Sequence, residues 1–187
     1  MDANEVTMHY AIALFVMLTV VACVGILSVP PPDPSSVKMF WETKPVAQVI
    51  LTELEYSKKI QHKTEVFTSE LFVYTEKDSA DPKRMMIMSL ADLELGQQIP
   101  AAPNAVPVQL YGRTFLRSVI RIGTDDEIVP GEKPSVDYRA IIWTTVIPYS
   151  DKGLMITILY AEPASLSTDN LEEMIKRSEK AYKLFID

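Results

Sequence analysis

Residues 10–29 read YAIALFVMLTVVACVGILSV, apolar on every side and free of charge. At about 1.5 Å rise per residue, such a run covers the roughly 30 Å hydrocarbon core of a bilayer. The pattern predicts one transmembrane helix over 10–29, behind a short polar tail over 1–9. Pro30, Pro31, Pro32 and Pro34 follow at once. Each lacks an amide donor and resists helix, so a stiff proline-rich spacer and interfacial segment is predicted over 30–42. The tail holds Asp2 and Glu5 and no Lys or Arg, which argues against a cleavable secretory signal. Val20, Val21, Ala22 and Cys23 loosely fit a lipoprotein signal, and lipidation of Cys23 stays open as an alternative.

Beyond the spacer the pattern predicts an α+β domain over 43–187. In 43–61, Thr43 is a plausible cap, Pro45 suits a first turn, and Val46, Ile50 and Leu54 recur at spacing four. That predicts a helix, although Ile50, Thr52, Leu54 and Tyr56 also alternate as in a strand. Strands are predicted over 65–75, 84–90, 114–123, 136–147 and 154–161. The segment 148–153, with Asp151 and Gly153, is the predicted hairpin loop between the last two. Asp169 and Glu172 make a capping-box pattern. After it, Leu171, Met174, Ile175, Ser178, Ala181, Tyr182 and Phe185 line one helical face. A mostly antiparallel sheet covered by this amphipathic helix is the expected architecture, with Met174, Ile175 and Tyr182 in the core. A hairpin followed by a capped helix resembles the ending of PsbP-like domains. The resemblance covers only the last third of the chain and carries no diagnostic residue.

The 187 residues carry a formal charge of −7, which opposes nucleic-acid binding. Only 6 residues are Gly, and no Gly-rich motif follows a predicted strand, so nucleotide binding has no support. Cys23 is the only cysteine, and no intramolecular disulfide is possible. His9 and His62 flank the predicted span on opposite sides, leaving no metal-ligand set. His62 lies in a polar context and does not read as a catalytic base. Asp125, Asp126 and Glu127 read as a solvated loop over 125–134. Arg113, Arg117, Arg121 and Arg139 suggest a basic row across neighbouring strands, either gripping an acidic partner or paired with Glu and Asp. No catalytic residue, metal site or cofactor is assigned.

The pattern therefore points to a non-catalytic, single-span accessory or scaffolding subunit of a multi-protein membrane complex, with a respiratory or photosynthetic complex as the expectation within that class. Its partners are other integral membrane subunits and the lipid bilayer. The alternative is a membrane-tethered binding domain for a small apolar ligand or lipid. Lys38 and Lys44 behind the span, against no basic residue before it, favour a cytoplasmic domain. Candidate contact residues are Ala22 and Gly25 on the span, Phe40 and Trp41 behind it, and Ile99, Pro100, Pro103 and Pro107 in the proline-rich loop 96–107.

Overall fold

The computed structural model describes residues 36–41, 44–63, 68–77, 83–93, 104–149, 151–166 and 170–186. The predicted span, the tail and most of the proline spacer lie outside these residues. No helix among the described residues is long and apolar enough to cross a membrane. The expected α+β class is corrected: 69% of the interpretable region is strand and 9% helix, with one helix in a mostly β fold.

Seven antiparallel strands form the larger sheet: β3 (Leu54–Lys63), β4 (Thr68–Glu76), β5 (Met85–Leu93), β6 (Val106–Leu110), β7 (Arg113–Ile122), β8 (Tyr138–Tyr149) and β9 (Lys152–Pro163). Their spatial order is β3-β4-β5-β9-β8-β7-β6. Two meanders, β3-β4-β5 and β6-β7-β8-β9, are thus joined by the β5–β9 pairing. The smaller sheet holds β1 (Ser36–Trp41), β2 (Lys44–Leu51) and β10 (Tyr182–Ile186) in the order β1-β2-β10. The helix α1 (Leu171–Ala181) runs into β10 without a loop.

β9 is buried at every position from Gly153 to Pro163. A strand with neighbours on both sides and cover on both faces reads as a continuous apolar run, as LMITILYA does. One face carries Phe72, Tyr74, Met88, Trp143, Ile156 and Tyr160 against the inner face of the small sheet and against Met174 and Ala181 of α1. The other face carries Leu71, Val73, Ile87, Ile142 and Leu159 under Ile128 and Val129. Fully burying each such aliphatic side chain is worth roughly 1.5–3 kcal/mol. The acidic loop expected to be solvated thus covers a sheet face, with Ile128 and Val129 buried and a Lys58–Glu132 ion pair tying it to β3.

The expected helix over 43–61 is replaced by β2 and β3. Spacing four and alternation coexist there, and pairing decides between them. Ala47, Val49 and Leu51 turn inward while Ile50 stays exposed, and β1 and β10 flank β2. Pro45 sits at the start of β2, where the register shifts and a missing amide is tolerated. The predicted hairpin at 148–153 forms more tightly than expected: Tyr149 pairs with Lys152, leaving a two-residue connection. At Gly153 a Cβ would lie 2.9 Å from Val146 Cγ1, so a larger residue would force Val146 to shift.

The helix is shorter than its apolar periodicity implied. Asn170 is the N-cap, its side chain accepting from the Glu172 N–H at 3.0 Å. At Tyr182 the backbone turns extended (φ −154, ψ 160), and Tyr182, Leu184 and Ile186 pair with β2. The open edge of β2 outcompetes another helical turn. Met174 and Tyr182 are buried as expected, whereas Ile175 is partly buried and Phe185 is exposed.

Candidate functional site

The small sheet has two unlike faces. Met39, Ala47, Val49, Leu51, Tyr182 and Leu184 are buried beneath it. The outer face shows Phe40 (47% exposed), Ile50 (36%) and Phe185 (51%). Register places Lys38, Gln48 and Phe185 in one row across the sheet, and Ile50 beside Lys183 in the next. Lys38 and Lys183 are exposed, so this face joins two aromatic rings and an aliphatic side chain to basic groups in an acidic chain.

Beside this face runs an open groove of about 510 Å³. β10 from Tyr182 to Ile186 forms one wall, Leu110 and Tyr111 form the other, and Glu179 contributes to the rim. Tyr111 and Gly112 make the two-residue turn between β6 and β7, both with positive φ (53 and 73). That matches the backbone twist of a tight hairpin, but a bulky residue enters the left-handed region at a cost of about 1 kcal/mol or more. The Tyr111 ring packs edge-on against Phe115 at 6.4 Å. Burial, with the Glu179 charge nearby, raises the Tyr111 phenol pKa above the ordinary tyrosine value.

A charged cluster joins α1 to the large sheet. Arg177 Nε and Nη2 donate to the two Glu162 carboxylate oxygens, each at 2.7 Å. Tyr160 OH donates to the same carboxylate at 3.0 Å. Nearby, Arg84 pairs with Glu76 and with Glu53, the latter at 3.1 Å. Burial and the Glu162 charge push the Tyr160 phenol up. Every carboxylate here is held by an arginine and the phenol stays protonated, an arrangement that fixes elements and leaves no free base. Among the described residues, no group of three or more His, Cys, Asp or Glu is placed to hold a metal ion.

Of the candidate contact residues, Ala22, Gly25, Ile99, Pro100 and Pro103 lie outside the described residues, as does Cys23. Phe40 is exposed on the outer face. Trp41 is 3% exposed, and its indole N–H donates to Asp92 at 3.1 Å, so its ring belongs to the core. Pro107 is exposed in β6, opposite Leu116. Arg117 and Arg121 share a parity on β7, and Arg139 sits opposite Arg121 on the neighbouring strand as expected. Arg121 pairs across from Arg139, Arg139 from Glu162, and Arg117 from Trp143. Asp126 and Glu127 accept from the Gly123 and Gly131 amides and so build their own loop. His62 lies on β3 opposite Ser69.

Sequence reasoning missed Tyr111 and the strand β10. The Tyr111-Gly112 pair between two short alternating runs was the available signal for the first. No family model, curated protein or solved structure matches the chain.

Proposed function

We propose that the protein is a non-catalytic, single-span accessory subunit of a membrane complex, its β domain held at the bilayer on the cytoplasmic side. The outer face of the small sheet is the observation that carries this reading. Phe40, Ile50 and Phe185 form an exposed apolar surface with Lys38 and Lys183 beside them, on the sheet whose β1 lies within the segment 30–42 expected to be spacer. Six residues separate the apolar run from β1. Six residues of chain, even fully extended, reach no more than about 22 Å. Aromatic and lysine side chains suit that zone, where apolar rings and headgroup charge meet.

Purification of the tagged full chain in mild detergent, with photo-crosslinkers at positions 40 and 185, tests the proposal. Defined integral membrane proteins are expected at both positions. Recovery of the chain alone, with crosslinks to lipid only, overturns the subunit assignment.

The apolar groove beside β10 supports a second reading, a tethered domain binding a small apolar ligand or lipid. Its openness to solvent sets it apart from the enclosed pockets that bury most of a small ligand, and this favours the subunit reading.

A further inference from the structure

We propose that Arg117, Arg121 and Arg139 form a carboxylate-binding row, which holds an extended acidic segment of a partner protein along the flank of the large sheet. The row adds a second contact face to the subunit reading, and rests on that reading for the source of the segment.

β7 and β8 pair in continuous register from Leu116 to Ile122, which fixes side-chain parity along both. Arg117, Val119 and Arg121 alternate down β7 on the face that buries Phe115. Arg139 lies on that same face of β8, in step with the buried Ile141 and Trp143. The small sheet and α1 pack on the middle of this face. At its β7 corner Val119 is 38% exposed and Arg121 is exposed.

Arg121 and Arg139 stand directly opposite each other. Cβ atoms so paired are about 5 Å apart, and like charges in that position destabilise a sheet. The neighbour of Arg139 on its other side is Glu162. Both Glu162 oxygens already accept from Arg177. Arg121, Arg139 and Glu162 thus make one row across three strands, and Arg177 joins it from α1. Guanidinium outnumbers carboxylate there, and an added anion relieves the repulsion.

The occupant follows from spacing and charge. The planar arginine fork suits a carboxylate, as the two 2.7 Å bonds from Arg177 to Glu162 illustrate on the same face. Arg117 and Arg121 are four residues apart on a strand, about 13 Å. Carboxylates at the same spacing on an extended segment match them, and Val119 between the two calls for an apolar side chain between the acids. The whole chain carries a charge of −7, which opposes approach to a broad anionic surface such as a membrane. A short acidic segment feels chiefly the arginines it touches, because screening acts within about 8 Å at physiological salt.

The test uses the full chain in nanodiscs of neutral lipid and a fluorescent peptide with two glutamates four positions apart around a central valine. The control peptide has glutamine in place of both glutamates. The glutamate peptide is expected to bind, more weakly as salt rises, and the control is not. Arg117→Gln and Arg121→Gln should each weaken binding about fivefold. Lys133→Gln, an exposed cation in the loop on the opposite face of the sheet, should leave it unchanged. Arg121→Gln should melt no lower than wild type, because it ends the opposition with Arg139. Arg117→Glu combined with Arg121→Glu should bind a lysine version of the peptide instead. Equal binding of the glutamate and glutamine peptides overturns the inference, as does equal weakening by Lys133→Gln. A marked fall in the melting temperature of Arg121→Gln overturns it too, since Arg121 would then serve the fold. Capture of phosphatidylserine vesicles that depends on Arg121, without peptide binding, would make headgroups the occupant and overturn the assignment to a protein segment. If crosslinks from positions 40 and 185 to membrane proteins persist while the peptide fails to bind, this inference falls and the subunit reading stands.

Discussion

Arg177 on α1 grips Glu162 on β9 through two hydrogen bonds of 2.7 Å, and the Glu162 side chain is 1% exposed. The pair is the polar fastening between the helix and the large sheet. Removing one partner of a buried pair is worse than removing both, because the survivor stays buried and uncompensated. Arg177→Met is therefore expected to cost about 3 kcal/mol, less any relief from solvent reaching the site. Arg177→Met combined with Glu162→Gln should recover part of that loss. Thermal melts of the four proteins form the cycle that measures it, and equal destabilisation by single and double variants would refute the pairing.

Two buried tyrosines should respond oppositely to loss of the hydroxyl. Tyr74 OH is buried without a hydrogen-bond partner among the described residues. Tyr74→Phe removes an unsatisfied group and should stabilise by about 1 kcal/mol. Tyr160 OH bonds to Glu162 at 3.0 Å, so Tyr160→Phe should destabilise by about 1–2 kcal/mol. Urea titrations compare the two directly, and a shared sign would contradict the assignment.

Alkaline pH should unfold the domain early. Burial raises the phenol pKa of Tyr74, Tyr160 and Tyr182 above the ordinary value of 10.0. Between the unfolded and folded values the native state binds more protons, so stability is full below about pH 10 and falls as pH rises above it. Each such tyrosine contributes a slope of about 1.4 kcal/mol per pH unit. Tyr74→Phe should make that slope shallower by one proton, read from denaturation midpoints between pH 9 and 11.

Trp41 fastens β1 to the large sheet from both ends of the residue. Its indole reaches Asp92, and its carbonyl accepts from Tyr149 OH at 2.7 Å. Trp41→Ala should cost about 3–5 kcal/mol, whereas Trp41→Phe, keeping most of the volume, should cost less. A normal melting temperature for Trp41→Ala would mean that the ring works outside the core.

Five strands of the large sheet were legible because they alternate or run continuously apolar, as in LMITILYA, and because Asp151 and Gly153 mark their turn. The 43–61 segment misled because Val46 and Ile50 satisfy helical spacing while Val49 and Leu51 satisfy strand alternation. Only the flanking β1 and β10 decide, and they lie elsewhere in the chain. Tyr182 and Phe185 continue a helical face on paper, yet the open edge of β2 claims them as strand. The loop carrying Ile128 and Val129 reads as acidic because its charges outnumber its two buried side chains. The groove was invisible for the same reason as β10: it is made by residues 110–111 meeting 179–186, a neighbourhood that no local pattern records.

The pairing of Leu51 with Tyr182 has a consequence for how the protein is made. About 130 residues separate the two, so β2 leaves the ribosome well before its partner. At 5–20 residues per second, the interval is on the order of ten seconds. Throughout it, one edge of β2 is bare and Val49 lacks the Leu184 that will lie beside it. A nascent chain interrupted anywhere in that interval keeps a sticky, half-built sheet next to its apolar segment, a form that chaperones and proteases can tell from the finished protein.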